Sequence, residues 1–195
     1  MQDRAGLTTL ALAALLILAS PARSTTVEQL SFERLVERAA VVFHGACTDV
    51  RAEWDGTGRR IQTRVTFAPA AVLKGQAGER LELVLPGGQR DGLTQVVHGM
   101  PRFAVGEEVV VLATAPHRRS GVAIPVGLGQ GVYRVDRPAG GAPVARRDTR
   151  GLHLVDLEAG QAVPGAREAL PLGDLLERVR AEVARQRAQR DREAR

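Results

Sequence analysis

The sequence predicts a mainly β domain: a small OB-like barrel or closed β-sandwich of roughly five to seven strands. A short helix is expected before the strands and a longer helix after them. Three observations carry this prediction. Apolar and polar residues alternate over several segments between positions 40 and 157, which is typical of half-buried strands. Turns rich in glycine and proline separate those segments. Two flanking stretches instead repeat apolar residues at helical spacing.

The N-terminus predicts a signal peptide over 1–24. Arg4 precedes an apolar run, 7–18, and small residues follow it, which is the pattern of a secretory signal. The run is shorter than the roughly 20 residues of a membrane-spanning helix. Cleavage after Ser24 is expected, cleavage after Ala22 is the alternative, and an uncleaved anchor is the competing interpretation. We therefore expect an exported protein, periplasmic or extracellular, with no stable membrane span once the signal is removed.

The mature chain divides into a β domain, 25–158, and a loop with a charged C-terminal helix, 159–195. The first helix is predicted over 31–39, where Ser31 is a suitable N-cap and Phe32, Leu35 and Val36 share one face. The predicted strands, in chain order, are 40–53, 61–73, 81–85, 108–113, 122–126, 131–135 and 152–157.

The end of the chain is predicted to be helical from Pro171 onward, after a loop-like segment, 159–170. Its apolar stripe comprises Leu172, Leu175, Leu176, Val179 and Val183. The residues that follow are polar all round, so the first half should dock on the β domain and the end should fray.

Composition argues against nucleic-acid binding. Of the 195 residues, 3% are aromatic, too few for a platform on which nucleic-acid bases stack. The net charge is +5, but acidic residues are mixed with the arginines, which is typical of a solvated surface. We expect no nucleic-acid partner.

Catalytic patterns are missing from the sequence. The four histidines form no metal-ligand spacing with each other or with cysteine, and there is no GxSxG or P-loop motif. Cys47 is the single cysteine and is expected to be a small buried residue. His44 lies three residues away in the same strand, so the two side chains should point to opposite faces. We expect no enzymatic activity, no cofactor and no metal.

The connection between the strands 81–85 and 108–113 is the candidate binding segment. Pro86, Gly87 and Gly88 end one strand, and Pro101 and Gly106 direct the next. Glu107, at the start of that strand, should accept hydrogen bonds from loop amides. The candidate binding rim consists of His98, Arg102, Glu107, Arg90 and Asp91.

The same segments resemble a family of small exported bacterial proteins of uncharacterised function. The likeness rests on Leu73-Lys74-Gly75, on Pro86-Gly87-Gly88, on the spacing Gly99-x-Pro101-x-Phe103-x-x-Gly106-Glu107, and on Gly127-x-x-Gln130-Gly131-x-Tyr133-x-Val135. It covers about 31–135. Each motif is a turn or the start of a strand, so the resemblance implies a fold and carries no catalytic residue.

The first half of the mature chain is also similar to the opening of netrin-like and tissue metalloproteinase-inhibitor domains. That likeness rests on a helix, the strand beginning Ala40-Val41-Val42-Phe43-His44-Gly45, and a second strand ending in Val72-Leu73-Lys74-Gly75. It implies a five-stranded OB barrel. Such inhibitors bind zinc through an N-terminal cysteine, whereas Thr25 or Arg23 would begin this mature chain. Only the barrel topology is therefore implied.

The predicted function is that of an exported, non-catalytic binding or interaction module with an unknown ligand. An unknown protein is the expected partner, and one subclass is a partner or inhibitor of an exported protease. A structural or envelope-associated protein is the alternative.

Overall fold

A computed structural model describes residues 26–195 and shows a mainly β protein with 43% of residues in strands. The predicted signal peptide, 1–24, lies outside the described residues. The strands are β1 Thr26–Glu28, β2 Val41–Trp54, β3 Ile61–Lys74, β4 Leu81–Pro86, β5 Gly88–Arg90, β6 Leu93–Gln95, β7 Glu108–Ala113, β8 Val132–Asp136, β9 Val144–Asp148, β10 His153–Asp156, β11 Gln161–Val163 and β12 Arg167–Pro171. The helices are α1 Phe32–Arg38, the 3-10 turn Leu128–Gly131, and α2 Leu172–Glu193.

Seven strands form one curled sheet that makes a half-barrel. Their order is β12-β9-β8-β7-β2-β3-β4. The strands β4 and β7, which the long connection joins, therefore belong to one sheet. Two smaller sheets accompany it, β1-β10-β11 and β5-β6.

The segment 122–126, predicted to be a strand, makes only isolated bridges, and that prediction is wrong in detail. Ala123 bridges to Val84 of β4, and Pro125 bridges to Ala113 of β7. Pro125 has no N–H to donate to a ladder. The segment nevertheless spans from one edge of the half-barrel to its middle.

Two apolar cores lie on opposite faces of the sheet. One core, on the concave face, contains Phe43, Val65, Phe67, Leu83, Leu85, Phe103, Val109 and Val111. The other contains Val42, Val110, Leu112 and Tyr133 of the sheet together with Leu35, Val36, Leu175 and Val179 of the two helices. Neighbouring residues of β2 and β7 thus alternate between the cores, as the pleat of a strand requires.

Both ends of α1 are capped by side chains. The Ser31 hydroxyl accepts a hydrogen bond from the Arg34 amide at 3.2 Å. At the other end, Lys74 Nζ donates to the carbonyls of Val36 and Glu37 at 2.6 and 3.0 Å. Burial lowers the pKa of this amine. The one lysine of the chain therefore ties the end of β3 to the last turn of α1.

The C-terminal helix α2 is confirmed, and it stays helical to Glu193. Leu172, Leu175 and Val179 are buried in the core beside α1. Beyond Val183, where the apolar stripe ends, Gln186 donates to the carbonyl of Glu33 at 2.9 Å. That polar contact docks a turn of α2 beyond the apolar stripe, in the part of the helix expected to fray. No helix in 26–195 is long and apolar enough to cross a membrane.

The expectation of a loop over 159–170 is wrong, because this part of the chain contains β11 and most of β12. β12 pairs with β9 over five register positions, Arg167 to Asp148 through Pro171 to Val144. Both are polar strands near the edge of the sheet, and their pairing is set by the tertiary fold rather than by local alternation.

Candidate functional site

A cleft of about 520 Å³ lies where the long connection between β4 and β7 folds back over the sheet. We call it the rim cleft, and define it by Val65, Leu85, Val96, His98, Arg102 and Phe103, all of which line it. Val65 and Leu85 come from the sheet, and the other four come from the connection. Its volume is within the range of small-ligand pockets, roughly 300–1,000 Å³.

The first half of the connection is held on the sheet by its glycines. The Gly87 amide donates to the carbonyl of Ile61 at 2.8 Å, and Gly87 has a φ of 95°. A Cβ at Gly88 would lie 2.6 Å from Thr63 Oγ1. These positions let the β5–β6 hairpin approach β3 closely, and Gln95 Oε1 then accepts from the Ile61 amide at 2.9 Å.

The second half of the connection is fixed by an aromatic contact and by backbone hydrogen bonds. The rings of Phe103 and Phe67 meet edge to face with centroids 5.1 Å apart. The Gly106 amide donates to the Cys47 carbonyl, and the Cys47 amide donates to the Glu107 carbonyl, both at 2.8 Å. The Pro, Gly and Phe positions of this connection therefore shape the backbone, as the sequence predicts.

The structure brings two of the five candidate rim residues, His98 and Arg102, into the cleft. Arg90 and Asp91 lie instead at the tip of the β5–β6 hairpin, where Trp54 Nε1 donates to Asp91 at 2.8 Å and Arg90 is 3.3 Å from the same carboxylate. These two side chains fasten the hairpin to the end of β2.

Glu107 also lies outside the cleft lining. Its carboxylate accepts from the Ala104 amide at 3.1 Å, which is the loop-amide role expected for it, and is 2.9 Å from Arg134 Nε. The second contact joins the start of β7 to β8.

Two apolar side chains in the β5–β6 hairpin and just after it are exposed to solvent. Val96, which lines the cleft, is 54% exposed, and Leu93 of β6, outside the lining, is 57% exposed. Neither residue is among the candidates predicted from the sequence, although Val96 and Val97, adjacent valines in a glycine-rich connection, are an available signal. Val96 thus extends the apolar lining of the cleft to the solvent-exposed surface, where a partner can contact it.

Arg102 differs from most of the arginines near it. Within residues 26–195 its guanidinium has no ion pair and no hydrogen bond, and only its carbonyl is engaged, accepting from Arg134 at 2.8 Å. An unpaired guanidinium is free to take a carboxylate in a bidentate contact.

A second cleft, of about 680 Å³, lies on the face formed by β8, β9 and β12. Four arginines line it, and each already has a carboxylate partner: Arg134 with Glu107, Arg146 with Asp136, Arg147 with Glu168, and Arg167 with Asp148. Hydrogen bonds from Arg150 and Arg167 hold the pKa of Asp148 far below its usual range. Because its charges are neutralised internally, this larger cleft is the weaker candidate for binding a charged ligand.

The groups that could support catalysis are separated. Cys47 is 1% exposed, and burial raises the pKa of its thiol, so it is a buried apolar residue as predicted. His44 contacts Glu108 at 2.6 Å on the other face of β2. In the described part of the chain, no three His, Cys, Asp or Glu side chains are grouped so that they would hold a metal.

Comparison of the chain with protein-family models, curated proteins and solved structures gave no match.

Proposed function

We propose that this protein is an exported binding module without catalytic activity, and that the rim cleft receives its protein partner. The observation that carries the proposal is the rim cleft itself, a preformed pocket whose lining includes buried apolar side chains, the exposed Val96 and an unpaired arginine. Interfaces are anchored by apolar side chains that fill such pockets.

We further propose that the half-barrel and the segment 122–126 together form an OB-like barrel. The bridges of Ala123 to β4 and of Pro125 to β7 support the closed order β2-β3-β4-(122–126)-β7 and back to β2. OB barrels bind ligands on an exposed face and the loops beside it. A partner or inhibitor of an exported protease is the subclass that this topology favours.

A pull-down with residues 25–195 as bait tests the proposed function. The prey is the periplasmic extract or culture supernatant of the source organism. We compare the unsubstituted bait with Val96→Asp, which places a charge at the mouth of the cleft, and with Leu157→Asp, a matched control. Leu157 is also exposed, at 66%, but lies outside the cleft lining.

We expect a partner to be retained by the unsubstituted bait and by Leu157→Asp, and lost with Val96→Asp. Equal retention by all three baits would exclude the rim cleft as the binding site. If nothing is retained and the protein instead remains with the envelope fraction, the structural alternative replaces the binding module.

A further inference from the structure

The strand beside the rim cleft has an unpaired edge. In the described residues, β6 pairs only with β5, in a two-stranded sheet. Thr94 and Gln95 of β6 line the cleft. An open strand edge offers N–H and C=O groups to which an extended peptide adds as a further strand.

The cleft beside this edge offers an apolar contact and a positive charge together. Val65, Leu85 and Phe103 are buried side chains that line it. Arg102 supplies the charge. Unlike the four arginines of the second cleft, it has no carboxylate partner in 26–195. A ligand that satisfies both features carries an apolar group close to a carboxylate.

We propose that the rim cleft binds the carboxyl-terminal end of an extended polypeptide whose last side chain is apolar. The terminal residue places an apolar side chain and a carboxylate on the same carbon atom, so one residue occupies the apolar lining and contacts Arg102. The residues before it add to the edge of β6. This inference rests on the proposed function and specifies the chemistry of the partner.

The strand edge favours a polypeptide over a fatty acid. A fatty acid matches the apolar lining and the charge but has no backbone amides to pair with β6. An acidic residue inside a polypeptide could pair with β6 and contact Arg102. Its side chain would carry the carboxylate, so the same residue could not fill the apolar lining.

The test uses purified residues 25–195 and two degenerate hexapeptide pools, one with free C-terminal carboxylates and one with C-terminal amides. Retained peptides are sequenced, and one enriched sequence is synthesised in both forms and titrated by fluorescence anisotropy. Sodium myristate is the fatty-acid probe. The variants are Arg102→Gln and the matched control Arg118→Gln, since Arg118 is an exposed arginine with no ion pair in 26–195 and lies outside the cleft lining.

We expect the carboxylate pool to be enriched in sequences that end in an apolar residue. Arg102→Gln should weaken binding of the free acid by about tenfold or more, as loss of a hydrogen-bonded charge pair does, and Arg118→Gln should leave it unchanged. The amide should bind about tenfold more weakly to the unsubstituted protein and should not respond to Arg102→Gln.

Three results would overturn the inference: equal retention of the two pools, no retention of either, or the same affinity for Arg102→Gln and Arg118→Gln. Binding of myristate without binding of peptide assigns the cleft to a fatty acid and also overturns it. A pull-down that remains sensitive to Val96→Asp while the peptide test fails would remove this inference alone and leave the binding module standing.

Discussion

At the scale of single residues, a charged cluster joins β2, β7 and the end of β8. The Glu108 carboxylate accepts from Arg137 at 2.6 and 2.7 Å and lies 2.6 Å from His44 Nε2. The Glu108 side chain is 19% exposed. Hydrogen bonds from Arg137 lower its pKa below the usual value. The ionised form is therefore favoured by folding, and the carboxylate should stabilise the fold at neutral pH.

We predict that Glu108→Gln lowers the free energy of unfolding at pH 7 by about 1–2 kcal/mol. Because the folded pKa of Glu108 lies below the unfolded one, the stabilisation is complete above the unfolded pKa, about 4.3, and is lost as the pH falls through the folded pKa. The variant and the unsubstituted protein should thus converge in strongly acidic solution.

Urea unfolding at neutral and acidic pH checks this prediction. Glu158→Gln is the control, since Glu158 is exposed and has no ion pair in 26–195. A stability difference for Glu108→Gln that does not change with pH would contradict the claim that the ionised Glu108 carboxylate stabilises the fold.

At the scale of elements, irregular pairing bends the long hairpin β2–β3, which contributes Val65 to the rim cleft. Its register shifts between Val42 and Phe43, between His44 and Gly45, and between Cys47 and Asp49. Such bulges bend a strand and increase its twist. Gly45 pairs with Pro69 at one of them, and a proline inside a strand is confined to edges and bulges because it has no N–H to donate.

We predict that Gly45→Ala destabilises the protein by about 1–3 kcal/mol. A Cβ at Gly45 would lie 2.4 Å from the carbonyl oxygen of Ala68, which is backbone and cannot rotate away. The matched control is Gly78→Ala, where a Cβ meets nothing within 4 Å. The midpoints of urea unfolding measure both effects, and equal midpoints for the two variants would show that β2 and β3 do not approach so closely.

At the scale of the whole molecule, one buried side chain connects the sheet β1-β10-β11 to the half-barrel. Gln130 is 2% exposed. Its Oε1 accepts from the Leu30 amide at 2.9 Å, and its Nε2 donates to the carbonyls of Glu28 and Gly127 at 2.9 and 3.2 Å. The start of the described chain is thereby tied to the turn before β8, about a hundred residues away.

We predict that Gln130→Ala lowers the free energy of unfolding by about 1–3 kcal/mol, because it leaves buried backbone groups without partners. It should also speed proteolytic cleavage near Thr26–Glu28, since β1 loses its link to the half-barrel. Urea unfolding and limited proteolysis measure these effects. Gln189→Ala, at an exposed position on α2, should change neither, and a matching loss in that control would refute the role of Gln130.

Part of the candidate site was predictable from the sequence. The spacing of prolines and glycines identified the connection between β4 and β7 as the candidate segment. Two of its residues, His98 and Arg102, line the rim cleft. The sequence could not show that Arg90 and Asp91 lie outside the cleft, because Trp54, which holds Asp91, is 37 positions away along the chain. Leu93 and Val96 were missed because exposure depends on what the fold leaves uncovered.

The sequence by itself determined the mainly β class, the positions of six of the twelve strands (β2, β3, β4, β7, β8 and β10), the C-terminal helix and the burial of Cys47. Those properties follow from residue period, turn residues and hydrophobicity, which act over a few neighbours. Only the tertiary structure decided that β9 and β12 pair at the sheet edge, and that the arginines of the second cleft are neutralised while Arg102 is not. Pairing of charges joins residues that are distant along the chain, such as Arg134 and Glu107. It is therefore fixed by the way the strands come together rather than by local pattern.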